Sequence, residues 1–426
     1  MAWWFKIKLW QRVLAALFLG VAFGLTLALD QFMGADAAAW LESYVKPVGD
    51  LFIRLIRMLI VPLILFTLVS GVIAMGDPKR LGSLGLKTFA LYLVTTLFAN
   101  VIGLTMGTLL RPGAGVDLGG VDAVPISTDP PSAIDRLLAI VPQNPVAALA
   151  DGEVLSIIFL ALLGGAAIIA TRKDGEAMGS FFESGTAVFL KITHWVMEVA
   201  PFGVFALVSH TAASQGLEAL QAIAVLIGAV YLGLIVHAVI TYGILIRFVL
   251  GLPLVRFFRG ILDAQAVAYS TASSSATLPV TITNVTENLG VKKSVAGSVL
   301  PLGATINMDG TALYLGILAL FTAQAFGVYE LTFMSYVAIA FTAAIVSIGA
   351  AGIPSASLFL LAIVLETFGV TPEHTAIIVG FILPVDRIMD MARTAINVTG
   401  DAAVATAVAK WEGELDEETF RKPATI

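Results

Sequence analysis

The chain has 426 residues, 58% of them hydrophobic and 13% charged, with a mean hydropathy of +0.94. A soluble domain carries about 25% charged residues and could not cover its surface with this composition, whereas apolar runs of about 20 residues mark a polytopic helical membrane protein. The absence of Cys excludes disulfides, thiolate metal sites and cysteine nucleophiles, and the net charge of −6 says little, since the placement of Lys and Arg matters more than their sum.

Residues 1–12 mix Trp3, Trp4 and Trp10 with Lys6, Lys8 and Arg12, a composition suited to the cytoplasmic interface. They lack a small-residue cleavage site, so no cleavable signal is expected. Apolar spans follow at residues 13–29, 48–75 and 83–110, the last two separated by the basic loop Asp77-Pro78-Lys79-Arg80. Arg54 and Arg57, early in the second span, are expected to snorkel. Residues 111–151, rich in Gly, Pro and Asp, form the long polar connection, expected outside the membrane. Further spans are predicted at 153–170, 188–213 and 217–250. Alternation of Lys/Arg-rich and cation-poor connections places both termini in the cytoplasm, provided two apolar stretches enter and leave on the same side.

Two stretches have that character. Residues 255–289 centre on T-A-S-S-S-A-T-L-P, and 331–369 on S-I-G-A-A-G-I-P-S-A-S. Each is apolar, then small and polar with a Pro, then apolar again, with halves of about 15 residues that are too short to span comfortably. A Ser-rich kink in an ordinary span is the plain alternative. Paired interrupted segments point to re-entrant hairpins at a transporter's binding site.

Between them lies P-L-G-A-T-I-N-M-D-G-T-A-L-Y, residues 301–314. Asn307, Asp309 and Thr311 are two apart and do not share a helical face. Gly310 sits among them, and a local unwinding here would turn the carbonyls of Gly303 and Asn307 inward beside the Asp309 carboxylate. Oxygen-only ligation of that kind suits a hard cation such as sodium. A polar packing knot between helices is the alternative.

The last motif is D-R-I-M-D-M-A-R-T-A-I-N-V-T-G-D, residues 386–401. At about 100° per residue, Asp386, Asp390, Arg393, Asn397 and Asp401 share a stripe roughly 80° wide, with Thr394 at its edge. In a soluble protein this is a wet helix face. In a membrane each charge at mid-depth costs about 2.5–3.5 kcal/mol even on lenient scales, so here it must face a cavity or partners.

The combination S-S-S-A-T-L-P, N-M-D-G-T, the G-I-P hairpin, V-P-Q-N-P and D-M-A-R-T-A-I-N-V-T-G-D resembles the glutamate transporter family, the dicarboxylate/amino acid:cation symporters. The resemblance implies an all-α polytopic membrane protein with eight transmembrane helices and two re-entrant helical hairpins. It also implies a homotrimer in the plasma (inner) membrane, with scaffold and transport domains working as an elevator. The divisions would be an interfacial segment 1–12, scaffold helices 13–82, transport helix 83–110 and loop with scaffold helices 111–216. The transport core would be 217–410, with hairpins 255–289 and 331–369, followed by a tail 411–426.

By the same resemblance Asp390 receives the substrate amino group and Arg393 its side-chain carboxylate, flanked by Thr394 and Asn397. Thr311 touches the side-chain carboxylate, Ser274 and Ser275 hold the main-chain carboxylate, and Gly352 and Ile353 belong to the second hairpin's gate. Three sodium sites are implied. Gly303, Asn307, Asn397 and Asp401 form one; Tyr92, Thr95, Thr96, Asn307 and Asp309 a deeper one. The backbone of Thr305, Met308, Ser347, Ile348 and Ala350 forms the third. Physically, each buried acid gains a cation, and the planar fork of Arg393 suits a carboxylate.

There are departures. An Arg found just before the Ser triplet in some members is Ala272 here, and an Arg found in neuronal members after the substrate Asp is Met391. Arg387, one turn earlier, is the candidate to replace that cation. Leu315 stands where neuronal members carry a Glu, which argues against their proton/potassium coupling.

The expected function is sodium-driven import of L-aspartate or L-glutamate, with no enzymatic activity, organic cofactor or nucleic-acid partner. A proton-coupled glutamate or C4-dicarboxylate symporter is the alternative within the family, and a passive channel the alternative outside it. An intramembrane enzyme built on Ser274 or Asp390 lacks a neighbouring His in either motif. His194, His210, His237 and His374 read as isolated packing or interface residues.

Overall fold

The computed structural model describes residues 7–29, 39–74, 78–116, 138, 140–327, 331–348, 356–368, 370 and 372–422. Among these the secondary structure is helical throughout, save one isolated bridge between Val291 and Leu415. By length and composition, six described stretches can cross a bilayer. Large apolar side chains lie bare on the outside, among them Phe248 at 80% and Phe333 at 81% exposure, which water would penalise and lipid would not.

The first half comprises α1 (Leu9–Leu29), α2 (Lys46–Ala74) and α3 (Pro78–Leu110), then α4 (Pro145–Asp151), α5 (Val154–Thr171), α6 (Glu176–Glu198) and α7 (Ala200–His237). Helix α1 packs along α7, and α2 against α5, α6 and α7. Helix α4 starts where V-P-Q-N-P dictates. The Asn144 carboxamide accepts from the backbone N–H of Val146 and Ala147, Pro145 takes the first helical position, and left-handed Gly152 closes the turn.

Several predicted boundaries move. Pro78 opens α3, so Lys79 and Arg80 lie in its first turn and not in a loop. Helix α6 begins twelve residues before the span predicted at 188–213 and ends at Glu198, because Pro201 lacks the N–H that would continue it. The polar residues near 214–216 do not interrupt α7, which runs on to His237. Arg12 is held by protein and does not reach outward. It is 5% exposed and makes a two-pronged ion pair with Glu198 at 2.7 and 3.1 Å, fastening α1 to α6.

The second half begins with two π-type turns, Ala238–Tyr242 and Ile244–Val249, that widen the end of α7. Then come α8 (Leu254–Gly260), α9 (Leu262–Thr271), α10 (Ser274–Thr283), α11 (Lys293–Ile306) and α12 (Asp309–Ala325). Helices α13 (Phe333–Ile348), α14 (Ala356–Glu366), α15 (Pro372–Trp411) and α16 (Glu417–Arg421) complete it. Helices α9 and α10 pack against each other as a hairpin, and so do α13 and α14. Helix α15 is the axis, touching α3, α7, α9, α10, α11, α12 and α14. The stretch Lys293–Ala325 is 94% buried against 28–44% for the other crossing stretches, so α11 and α12 are surrounded by protein.

The C-terminal residues clasp the base of the first hairpin. Lys292 donates its N–H to the Glu414 carbonyl, Asp416 its N–H to Gly290, and Phe420 is fully buried. Gly290 has φ +69°, and a Cβ there would meet the Asp416 carbonyl at 2.4 Å, so close approach of the two backbones requires glycine. The Asp416 carboxylate caps α16, and its bond from the Thr419 hydroxyl holds its pKa below the usual carboxylate range. Phe420→Ala is expected to cost up to about 3–5 kcal/mol at the clasp. Thermal unfolding in detergent reads this, and an unchanged midpoint would count against the packing role.

Candidate functional site

Helix α15 carries the charged stripe into the centre of the protein. Asp386, Asp390, Arg393, Asn397 and Asp401 are at most 6% exposed, which rules out a wet helix face. Arg393 lies among acceptors. Its Nη2 donates to Asp390 Oδ1 at 2.8 Å, its Nη1 is 3.1 Å from Asp386 Oδ1, and its guanidinium stacks 3.7 Å above the Tyr314 ring. Tyr314 in turn donates its hydroxyl to Asp386 Oδ1 at 2.7 Å. Asp386 and Tyr314, which carried no role on sequence grounds, thus hold Arg393. Thr394 donates back to the Asp390 carbonyl, and Thr311 lies buried in the first turn of α12.

Between α11 and α12 the chain unwinds at Asn307 and Met308, the first two residues of N-M-D-G-T. Gly310 itself is helical and is small for another reason: a Cβ there would lie 2.6 Å from the Arg393 carbonyl. Its N–H donates to Asn397 Oδ1 at 2.8 Å. The Gly303 carbonyl accepts the Asn307 N–H at 2.9 Å, which leaves its second lone pair for another donor or a cation.

The residues of the first implied sodium site do converge. Asn307 Nδ2 donates to Asp401 Oδ1 at 2.9 Å and to the Asn397 carbonyl at 3.2 Å, and a Cβ on Gly303 would lie 2.4 Å from both Asp401 Oδ1 and Tyr92 Oη. Asn307 Oδ1 is a buried acceptor with no hydrogen-bond partner among the described residues, the kind of oxygen a cation can take up. In the deeper set, Thr95 and Thr96 hydroxyls reach Asp309 Oδ1 at 3.2 and 2.8 Å, while Tyr92 donates instead to the Val299 carbonyl.

The third set is less complete. Met308 Sδ accepts from Asn397 Nδ2 at 3.2 Å, and the hydroxyls of Thr305 and Ser347 bond back to carbonyls of their own helices. Ile348 ends α13; Ala350, Gly352 and Ile353 lie outside the described residues. At the first hairpin's tip, Ala272 adopts φ +52° and Ser273 caps α10, with Ser274 buried and Ser275 half-buried.

One residue set aside as isolated belongs here. His237 is fully buried, with Nε2 3.3 Å from Asp309 Oδ2 and Nδ1 3.1 Å from Thr241 Oγ1. Tyr242 donates to the same Asp309 oxygen at 2.8 Å. The signal for both was the His, Thr and Tyr at 237, 241 and 242 inside an apolar span, where polar side chains are costly unless employed. The widened π-type turn brings the three to one place. His374, by contrast, packs edge-on against Phe326.

This arrangement, a buried arginine among carboxylates beside a broken helix, can be compared with known proteins. Residues 9–411 match the model of the sodium:dicarboxylate symporter family. The chain belongs to that family. It is therefore an integral membrane transport protein of the symporter type and not an enzyme. The symporter is 36% identical to the proton/glutamate-aspartate symporter of Escherichia coli over 97% of its own length and 95% of the relative's. It is 35% identical to the proton/sodium-glutamate symport protein of Bacillus subtilis, covering 96% and 94%. A C4-dicarboxylate transport protein of Ralstonia nicotianae is also 35% identical, covering 96% and 93%. The family's transport of small solutes coupled to a cation therefore applies, while its members differ in substrate and ion.

Proposed function

We propose that this symporter imports an acidic amino acid, L-aspartate or L-glutamate, coupled to sodium. The observation that carries the reading is Asp390 beside Arg393, one turn apart, both buried. An ammonium can bind the first and a carboxylate the second, and a C4-dicarboxylate would leave Asp390 facing its own charge. Asp401 with the Asn307 oxygen that has no partner among the described residues, and Asp309 with Thr95 and Thr96, supply oxygen ligands for sodium. Ser274, Ser275, Gly352 and Ile353 complete the substrate site on the two hairpins, and Thr305, Met308, Ser347, Ile348 and Ala350 the third cation site.

In this reading eight spans and two re-entrant hairpins divide into scaffold (13–82 and 111–216) and an elevator-like transport domain (83–110 and 217–410). The unit is a homotrimer with both termini cytoplasmic. The burial of α11 and α12 and their packing against α15 support a transport domain that moves as a unit.

Proton coupling is the second reading. It is favoured by the proton-coupled relatives and by Asp309, whose two oxygens already meet Thr95, Thr96, Tyr242 and His237. Uptake of radiolabelled L-aspartate, L-glutamate and succinate into proteoliposomes, under an inward sodium gradient or an inward proton gradient alone, separates these. Accumulation of an acidic amino acid that needs sodium is expected. Accumulation on protons without sodium would replace sodium coupling, and uptake of succinate alone would overturn the amino-acid reading.

A further inference from the structure

Arg387 is a buried charged side chain of α15 that the site as described does not use. It is 4% exposed, and it points to the first hairpin: Nη2 donates to the Thr271 carbonyl at 3.0 Å, at the residue before the left-handed Ala272. Its Nη1 lies 3.7 Å from Asp390 Oδ2, on the side of that carboxylate away from the Arg393 contact to Oδ1. Nε and Nη1 make no hydrogen bond among the described residues. A guanidinium with unspent donors, held nine-tenths buried between a hairpin tip and a substrate carboxylate, is not a snorkelling cation.

We propose that Arg387 is a positioning residue that ties the tip of the first hairpin to α15 and supplies the second cation of the Asp390 pocket, biasing the site toward anionic substrates. The proposal rests on the reading that Asp390 and Arg393 receive the substrate. Asp386, Arg387, Asp390 and Arg393 form two acids and two guanidiniums in balance. To take a substrate carboxylate, Arg393 must turn from Asp390, and Arg387 is then the cation that stays beside it. Without Arg387 the pocket keeps an excess negative charge, which opposes an incoming anion far more than a neutral zwitterion in so dry a place. The same side chain makes the tip's carbonyl part of the charge cluster, so hairpin position and Asp390 are set together.

The chain has no Cys, so a single thiol introduced by Ala276→Cys at the exposed start of α10 reports on the tip. Arg387→Gln is expected to weaken L-aspartate binding by roughly tenfold or more while changing L-serine binding little, and to speed thiol labelling at 276 by about threefold. Arg387→Lys keeps the charge but not the fork, so it should restore the aspartate-to-serine ratio without restoring slow labelling. Equal loss for both amino acids in the Gln variant, or parental binding with parental labelling, overturns the proposal. If the Gln variant does not fold, the Lys variant alone decides: parental labelling at 276 removes the tie. Parent protein that binds no acidic amino acid would refute the functional reading instead, while labelling of ligand-free protein would still test the tie.

Discussion

Arg393→Cys is expected to weaken L-aspartate binding by about 2–5 kcal/mol, the loss seen when one member of a buried, hydrogen-bonded charge pair is truncated. The loss has two sources. The substrate carboxylate loses its fork, and Asp386 and Asp390 are left facing each other with fewer cations. A small neutral amino acid brings an ammonium to Asp390 and no second carboxylate, so its binding should survive. Equilibrium binding of L-aspartate and L-serine to purified variant reads both. Retained aspartate affinity would remove Arg393 from the substrate site.

Gly310→Ala is expected to cut transport by at least about tenfold with a folded protein still in the membrane, since displacing a binding group by an ångström is felt that strongly. The added Cβ would lie 2.6 Å from the Arg393 carbonyl, 2.9 Å from its Cα and 3.1 Å from its carbonyl carbon. These are backbone atoms of a helix buried at this point and cannot swing aside as a side-chain tip would. Overpacking of this kind costs about 1–3 kcal/mol and moves α15 at Arg393. It also strains the Gly310 N–H bond to Asn397. Proteoliposome uptake with a thermal melt checks this, and parental uptake would show that the contact relaxes harmlessly.

Much of the site was legible because it sits in short motifs. The stripe from Asp386 to Asp401 follows from helical period alone, and N-M-D-G-T announced a broken helix by placing polar residues two apart. The break itself falls at Asn307 and Met308, and Gly310 is explained by a neighbour 83 residues away in the chain. Local pattern reveals that glycine is needed, not what presses against it. The end of α6 illustrates the reverse. Pro201 was present to mark it, but the polar residues near 214 suggested a later boundary, and α7 runs through them without a break.

Composition, the apolar spans, the two interrupted segments and the polar stripe established by themselves a helical membrane protein with its charge gathered on one helix. They follow from the cost of unpaired backbone and charge in a bilayer, which any such sequence must respect. Partnership was decided by tertiary structure. Asp386 holds Arg393 with the help of Tyr314, 72 residues away, and His237 and Tyr242 meet Asp309 across a similar distance. Arg387 reaches a carbonyl 116 residues back. Periodicity gives each side chain a face, but which opposing atom satisfies it depends on how helices far apart in the chain come to lie side by side.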